Sequence, residues 1–262
     1  MPFDHAAPAL QRSIGSAELV RAEGRLVRLH QQGCMRLLLP RDTSEAVVVN
    51  TAGGITGGDQ LDLSVKAGGG EAMTLTTQAA ERVYRSAGGV GQVRTRLQIG
   101  EDGRIDWLPQ ETILFEGSAL DRRLEVELKP RASLLAVESL VYGRAAHGET
   151  LRSLHLRDNW RIWHDGRLLH AEATRLNAMP TSAATLSGVL ASATLVFAAP
   201  GAEDARSTAR ALISAGVEAG VSALPGMLVA RFLAPTAQAL RAALIPMIRH
   251  FRAGPPPRVW QL

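Results

Sequence analysis

Short runs of alternating apolar and polar residues, interrupted by glycine, extend from residue 17 to about residue 198. A period of two is typical of strands with one buried face and one solvent face, whereas a helix needs a period of about 3.6. The body of the chain is therefore predicted to be mainly β. The predicted strands cover residues 25–29, 35–39, 46–49, 60–65, 73–77, 93–99, 124–128 and 154–157.

Turn signals lie between these runs. The segments EDGR (residues 101–104) and HDGR (residues 164–167) contain the Asp-Gly pair that suits a tight hairpin. The glycine run at residues 68–70 predicts a further connection. Two β-hairpins are expected at the Asp-Gly pairs.

Helical patterns are confined to the last quarter of the chain. Residues 202–216 and 236–253 are predicted to be helices, with a strand at residues 227–233 between them. Pro246 is expected to kink or break the second helix. We predict a single domain, with a β-rich body (residues 17–200), a helical part (residues 202–253) and an extended tail (residues 254–262).

A weak internal repeat of about 30 residues runs through the β-rich body. TTQAAERVYRS (residues 76–86) aligns with LPQETILFEGS (residues 108–118). A third copy would place Glu138 beneath Glu111, and a fourth ends at Glu172. Stacked β-sheet units would produce such a file of equivalent side chains, and chance similarity among strand-turn units is the alternative.

Charge and cysteine content narrow the functional classes. The 262 residues carry a formal net charge of +4 without a run of four basic residues, so a polyanion partner is not required. A nucleic-acid binder using the basic half after residue 150 remains an alternative. No signal peptide is recognised, and residues 176–202 are too polar for a membrane helix. Together with the single cysteine, Cys34, this predicts a cytoplasmic protein that binds neither nucleic acid nor membrane.

The segment NTAGGITGGD (residues 50–59) is the most distinctive stretch, and its motif glycines are Gly53, Gly54, Gly57 and Gly58. A phosphate-binding loop would end in Gly-Lys-Ser/Thr, but Asp59 occupies the lysine position. Two interpretations stay open. The glycines either let strands pass close together or bring the backbone close to a partner or ion.

Isolated histidines and a single cysteine favour neither a tight metal site nor nucleophilic catalysis. Glu111, Glu138 and Glu172 are more informative because each interrupts an apolar strand. If they point inward, they need arginine partners, water or a cation. If they point outward, they are ordinary solvent-exposed carboxylates. A β-solenoid-like carbohydrate-active enzyme with paired carboxylates is a further alternative.

Several motifs together resemble the urease accessory protein family UreD, also called UreH. They are residues 50–59, LTTQAAERVYRS (75–86), DWLPQETILF (106–115), GRAAHGE (143–149) and PRVW (257–260). The resemblance implies a non-enzymatic scaffold that links UreF and the GTPase UreG to apo-urease. It also implies an internal polar passage for Ni²⁺ in transit, without a tightly bound cofactor. The family's acidic passage positions fall on Asp59, Glu111, Glu138 and Glu172.

The second predicted helix carries an apolar stripe, and such stripes face a core or a partner. The stripe consists of Leu240, Leu244, Met247, Ile248 and Phe251, flanked by Arg241, Arg249 and Arg252. The resemblance places UreF contacts on C-terminal elements. We therefore predict a UreF-binding surface formed by Leu240, Leu244, Ile248, Phe251, Arg249 and Arg252.

Overall fold

The computed structural model describes residues 11–41, 43–144, 147–180, 182, 185–186, 188–252 and 254–261. Motif positions 145 and 146 and the predicted helix end at residue 253 lie outside the described residues. The first ten residues and the last residue of the predicted domain lie outside them as well.

Two β-sheets face each other across the described part of the chain, one of seven strands and one of ten. The seven-stranded sheet has the order β14-β13-β11-β8-β5-β1-β2. In chain order the strands are β1 (Ile14–Ala22), β2 (Arg25–Gly33), β3 (Met35–Leu38), β4 (Glu45–Asn50), β5 (Gln60–Ala67), β6 (Ala72–Thr77), β7 (Glu81–Val83), β8 (Gly91–Ile99), β9 (Arg104–Trp107), β10 (Thr112–Leu114), β11 (Ser118–Leu128), β12 (Ser133–Tyr142), β13 (Ser153–His164), β14 (Arg167–Ala178), β15 (Ala191–Ala198), β16 (Glu218–Leu224) and β17 (Met227–Ala234).

The middle of the chain winds back and forth between the two sheets as stacked coils. Strands β5, β8, β11 and β13 lie parallel in one sheet, while β4, β6, β9 and β12 lie parallel in the other. Ala72 pairs with Arg104, which in turn pairs with Ser133, so one coil takes about 30 residues. The predicted stacked β-sheet units and their repeat length are confirmed.

One of the two predicted hairpins is confirmed. His164 and Arg167 pair across the antiparallel β13–β14 turn, in which Asp165 and Gly166 both have positive φ. The hairpin predicted at residues 101–104 is wrong, because β8 and β9 belong to different sheets. That turn carries the chain from one layer of a coil to the next.

Two hydrophobic cores hold the layers together. The larger core fills the space between the sheets and includes Leu75, Leu97 and Leu124. The smaller core lies between the ten-stranded sheet and two helices, α1 (Arg206–Ala211) and α2 (Ala237–Arg252). From Asp121 onward, the outward-facing residues of β11 are partly or fully exposed, so this part of the outer face of the seven-stranded sheet meets solvent.

The first helix is shorter than predicted. Residues Ala202–Ala205 form a 3₁₀ turn and α1 ends at Ala211, not at Gly216. The chain then turns to begin β16, and the Arg210 guanidinium donates to the carbonyl of Val221 in that strand. Strand β16 was not predicted from the sequence.

The second helix matches its predicted span within one residue at each end. Thr236 caps it, because its Oγ1 accepts from the amide of Ala239 at 3.0 Å. Of the predicted kink or break at Pro246, the break is wrong, since α2 continues to Arg252. Met247, Ile248 and Phe251 are buried beyond the proline and hold that half of the helix against the sheet. Within the described residues, no helix combines the length and apolarity needed to cross a bilayer.

Candidate functional site

Two cavities of about 220 Å³ each lie between the sheets and share a wall. The first cavity is lined by Asn50, Glu81, Trp107, Gln110 and Thr112, among others. The second cavity is lined by Tyr142, Asp158, Trp160, Glu172 and Arg231, among others. Arg122 and Glu138 line both cavities, so these two side chains form the shared wall.

A buried arginine with two carboxylates forms this wall. Arg122 on β11 and Asp158 on β13 are direct neighbours in the register of their parallel strands. The Arg122 Nε lies 3.2 Å from Asp158 Oδ1, and its Nη2 lies 2.5 Å from Oδ2. The same Nη2 lies 3.1 Å from Glu138 Oε2 on β12, across the space between the sheets. The triad therefore ties the two layers together in the interior.

The environment of Glu138 opposes its ionisation. Burial raises the pKa of this carboxyl to about 7, although the positive charge of Arg122 acts in the opposite direction. Glu138 Oε1 accepts a hydrogen bond from the Trp107 indole at 2.8 Å. Its Oε2 is buried and accepts no hydrogen bond from the described residues. This oxygen is thus held by its ion pair with Arg122 at the boundary of the two cavities.

Glu172 lies at the far side of the second cavity, on β14. Its Oε2 is 2.8 Å from Arg231 and 3.5 Å from His170 Nε2, and its Oε1 accepts from Thr194 at 3.1 Å. Burial acts to raise the pKa of Glu172, but its contacts with His170 and Arg231 outweigh burial and hold the pKa below its usual range. Glu172 is therefore an ionised carboxylate facing the cavity.

Glu81 and Asp158 are cavity residues that were not predicted from the sequence. Glu81 begins β7, and the Asn50 amide lies 3.3 Å from both of its carboxylate oxygens. Burial raises its pKa to about 7, opposed in part by the bond to Asn50. Alternation contained a signal for Asp158, which shares the inward phase of Leu156 and Trp160.

The half-buried position of Glu81 predicts a pH-dependent stability. Its folded-state pKa lies above the ordinary value of 4.5, so its stability contribution is present below pH 4.5 and is lost as the pH rises through about 7. Glu81→Gln is expected to raise the free energy of unfolding by about 2 kcal/mol at pH 8 and to change it little at pH 4. Denaturant titrations at both pH values measure this. The exposed Glu127→Gln variant is the control, and equal effects of Glu81→Gln at both pH values would contradict the prediction.

Asp59, a predicted passage residue, instead stabilises the glycine segment. Its Oδ1 accepts from the amide of Ser13 and its Oδ2 from the amide of Thr56, both at 2.8 Å. Asp59 lines neither cavity. Both carboxylate oxygens are occupied by backbone donors: the bond from Thr56 closes a local turn, and the bond from Ser13 ties the glycine segment to the start of β1.

The motif glycines allow close approach between backbone segments. A Cβ on Gly57 would overlap Ser86 Oγ and the carbonyl oxygen of Gly88, and one on Gly54 would meet the Arg82 carbonyl at 2.8 Å. Gly53 and Gly58 have φ values of 77° and 88°, in the left-handed region. The first of the two interpretations, passage of neighbouring segments at close range, accounts for Gly54 and Gly57, whereas Gly53 and Gly58 are explained by their positive φ.

Glu111 lies on the opposite face of the sheet from Glu138. Thr112 pairs with Leu140, so the register places Glu111 beside Ser139 and not above Glu138. The Glu111 carboxylate is 3.7 Å from Arg241 of α2, on the helix side of the sheet. Since side chains alternate between faces, the one-residue difference separates the two carboxylates. Of the four predicted passage residues, the structure brings only Glu138 and Glu172 together.

The apolar stripe of α2 faces the chain's own core. Leu240, Leu244, Ile248 and Phe251 are each at most 5% exposed, packed against the ten-stranded sheet. They form no surface in this fold, which corrects the prediction that they bind UreF. Arg252 is also engaged, with Glu45 and Asp106 at 3.2 and 3.4 Å, and Arg249 is exposed.

Among the described residues, no group of three or more His, Cys, Asp or Glu side chains is placed to hold a metal ion. The Gln110 Nε2 is buried and without a hydrogen-bond partner among those residues, which suits a hydrated cavity. The site thus offers separate oxygen ligands along two adjoining cavities.

The fold and the site define a β-solenoid-like protein with charged internal cavities. The chain matches the family described as UreD urease accessory protein over residues 14–261. It is 44% identical to a protein named urease accessory protein UreD from Chelativorans sp. (strain BNC1), with 99% of this chain and 98% of the relative covered. A protein of the same name from Dinoroseobacter shibae is 47% identical, with 99% and 96% covered. The chain belongs to the UreD family of urease accessory proteins.

Proposed function

We propose that the chain acts in urease maturation as a non-enzymatic scaffold. It links UreF and UreG to apo-urease in the cytoplasm and lets Ni²⁺ pass through its interior. Family membership supports the role in maturation. The observation that carries the passage is the pair of adjoining cavities, which have Glu138 in their shared wall and further carboxylates on either side.

The chemistry of the lining suits an ion that must be released again. Carboxylate and amide oxygens bind Ni²⁺ more weakly than imidazole or thiolate ligands. Conduction requires sites that attract an ion without retaining it. Glu81, Glu138 and Glu172 supply such oxygens in succession, in the first cavity, in the shared wall and in the second cavity. Ni²⁺ is thus cargo, and the route uses Glu81 in place of Asp59 and Glu111.

The proposed UreF contact at the C-terminal part is limited to exposed side chains. The apolar stripe of α2 is buried, so its solvent face, with Gln238, Ala242 and Arg249, is what remains for a partner. An arginine at this position suits an acidic partner surface.

Glu172→Gln tests the passage because it removes one charge from the second cavity and preserves the side-chain shape. We expect several-fold less nickel in urease matured with this variant, while co-purification with UreF and apo-urease is unchanged. Glu111→Gln is the matched control, since it removes the same charge from the helix side of the ten-stranded sheet, outside both cavities. Nickel per urease is measured by elemental analysis at limiting nickel.

Normal nickel content with Glu172→Gln would contradict the passage but leave the scaffold role intact. Equal losses with Glu172→Gln and Glu111→Gln would also contradict it, because Glu111 lies outside both cavities. Failure of the wild-type chain to co-purify with UreF and apo-urease would contradict the scaffold role.

A further inference from the structure

Arg122 stands where an ion would cross from one cavity to the other. It is 7% exposed and lines both cavities. Asp158 holds its guanidinium through two hydrogen bonds, and its Nη1 donates to Thr112 Oγ1 at 3.2 Å. A cation leaving the first cavity therefore meets a fixed positive charge before it reaches Glu172.

The two contacts of Arg122 with carboxylates differ in kind. The contact with Asp158 is bidentate, a geometry that favours retention. The contact with Glu138 Oε2 is ionic only, because that oxygen accepts no hydrogen bond from the described residues. Glu138 is consequently the carboxylate that can more easily exchange its contact with Arg122 for another cation.

We propose that Arg122 is a specificity-determining residue of the passage. Its guanidinium repels monovalent cations, whereas divalent cations can displace its contact with Glu138 and pass. This inference rests on the proposed function of the two cavities as a nickel passage. A monovalent ion at Glu138 Oε2 would replace one unit charge by another and face repulsion from the guanidinium, so it gains nothing. A divalent ion doubles both its attraction to Glu138 and its repulsion from Arg122. It would contact Glu138 Oε2 directly, while the guanidinium stays on Asp158 and farther from the ion, so the doubled attraction exceeds the doubled repulsion together with the lost contact between Arg122 and Glu138.

A purely structural role for Arg122 is the competing explanation, and the variants are chosen to separate the two. Arg122→Met with Asp158→Asn removes one positive and one negative charge. When the carboxyl groups are ionised, the net charge at these three positions is therefore −1 both in the wild type and in the double variant. Asp158→Asn alone keeps Arg122 and serves as the control. The comparison of these two variants isolates the guanidinium.

Tryptophan fluorescence reports ion access without any dependence on urease. Trp107 donates to Glu138 and Trp160 lines the second cavity, so both indoles lie beside the barrier. A Trp163→Phe background removes the half-buried surface tryptophan. The probes are thallous nitrate, a monovalent heavy-atom quencher, and nickel nitrate, each added to the full chain in chloride-free buffer.

We expect Ni²⁺ to quench the wild-type and variant chains alike, whereas Tl⁺ quenches only the double variant. Repulsion between two positive charges in a protein interior is large enough to make the Tl⁺ quenching constant at least about tenfold higher in the double variant than in Asp158→Asn. Quenching by neutral acrylamide should be the same in all chains, which shows that the fold has not loosened.

Equal quenching of the wild type by Tl⁺ and Ni²⁺ would contradict the proposed role of Arg122 but not the proposed nickel passage. No gain of Tl⁺ quenching in the double variant would do the same. If Ni²⁺ quenched none of the chains, the passage itself would fail, and the barrier with it.

Discussion

Arg122→Met alone is expected to lower the free energy of unfolding by about 3–5 kcal/mol. The substitution leaves Glu138 and Asp158 in the interior without the cation that both contact. Removing one partner from a buried group of ion pairs lowers the free energy of unfolding by more than the intact group contributes to it, because the remaining charges stay desolvated. Denaturant titration of the full chain measures the loss.

The loss should grow with pH. Burial already raises the pKa of Glu138, and removal of Arg122 takes away the positive charge that lowers it. A group whose folded-state pKa is raised contributes stability that is present at low pH and is lost as the pH increases. Arg122→Met is therefore expected to be more damaging at pH 8 than at pH 5. The Arg122→Met/Asp158→Asn variant removes one of the two stranded carboxylates and should recover part of the loss, since Glu138 stays unpaired. Equal losses for the single variant at both pH values would contradict this account.

The β architecture could be predicted because alternation and coil length are local properties. The run VRTRLQI has one apolar phase, and β8 buries that phase, including Leu97 and Ile99. Stacking coils of about 30 residues places equivalent strands side by side, so a weak repeat in sequence becomes a parallel sheet. These features need no knowledge of contacts across the layers.

The site was harder to predict because it depends on strand register. Aligning Glu138 beneath Glu111 differs from the observed pairing of Thr112 with Leu140 by a single residue. That difference moves a side chain to the other face of the sheet. Sequence similarity between short segments does not resolve such a shift.

Arg122 and Asp158 could have been found from the alternation itself. Arg122 shares the inward phase of Leu120 and Leu124, and Asp158 shares that of Leu156. Two opposite charges in the apolar phase of neighbouring strands indicate a buried ion pair. The partner on the facing sheet, Glu138, depends on how the layers pack, which no local pattern contains.

The helix stripe illustrates a limit of periodicity. Leu244 and Phe251 have the spacing of a buried face, but the pattern does not tell a core from a partner surface. In the structure the ten-stranded sheet covers the stripe. The covering strands β15 and β17 are adjacent in the sheet, and together they supply the apolar surface that the helix needs.

Gly57→Ala is expected to destabilise the fold by about 3 kcal/mol or more. The added Cβ would overlap Ser86 Oγ and the Gly88 carbonyl oxygen, and it would lie 2.6 Å from the carbonyl oxygen of Gly89. Backbone carbonyls cannot move aside as a flexible side chain does, so the two segments must separate. The Ser86 hydroxyl bonds to Gly89, which fixes that segment further.

Gly53→Ala separates crowding from backbone strain within the same motif. Gly53 has a φ of 77°, and a methyl group added there would meet open space, so alanine incurs only the left-handed penalty of about 1–2 kcal/mol. Thermal and denaturant unfolding of both variants measure the difference. If Gly57→Ala cost no more than Gly53→Ala, the close approach of the two segments would be wrong. A larger loss for Gly57→Ala would show that Gly57 allows the Ser86 segment to pack against the glycine loop. Gly53 and Ile55 of that loop line the first cavity.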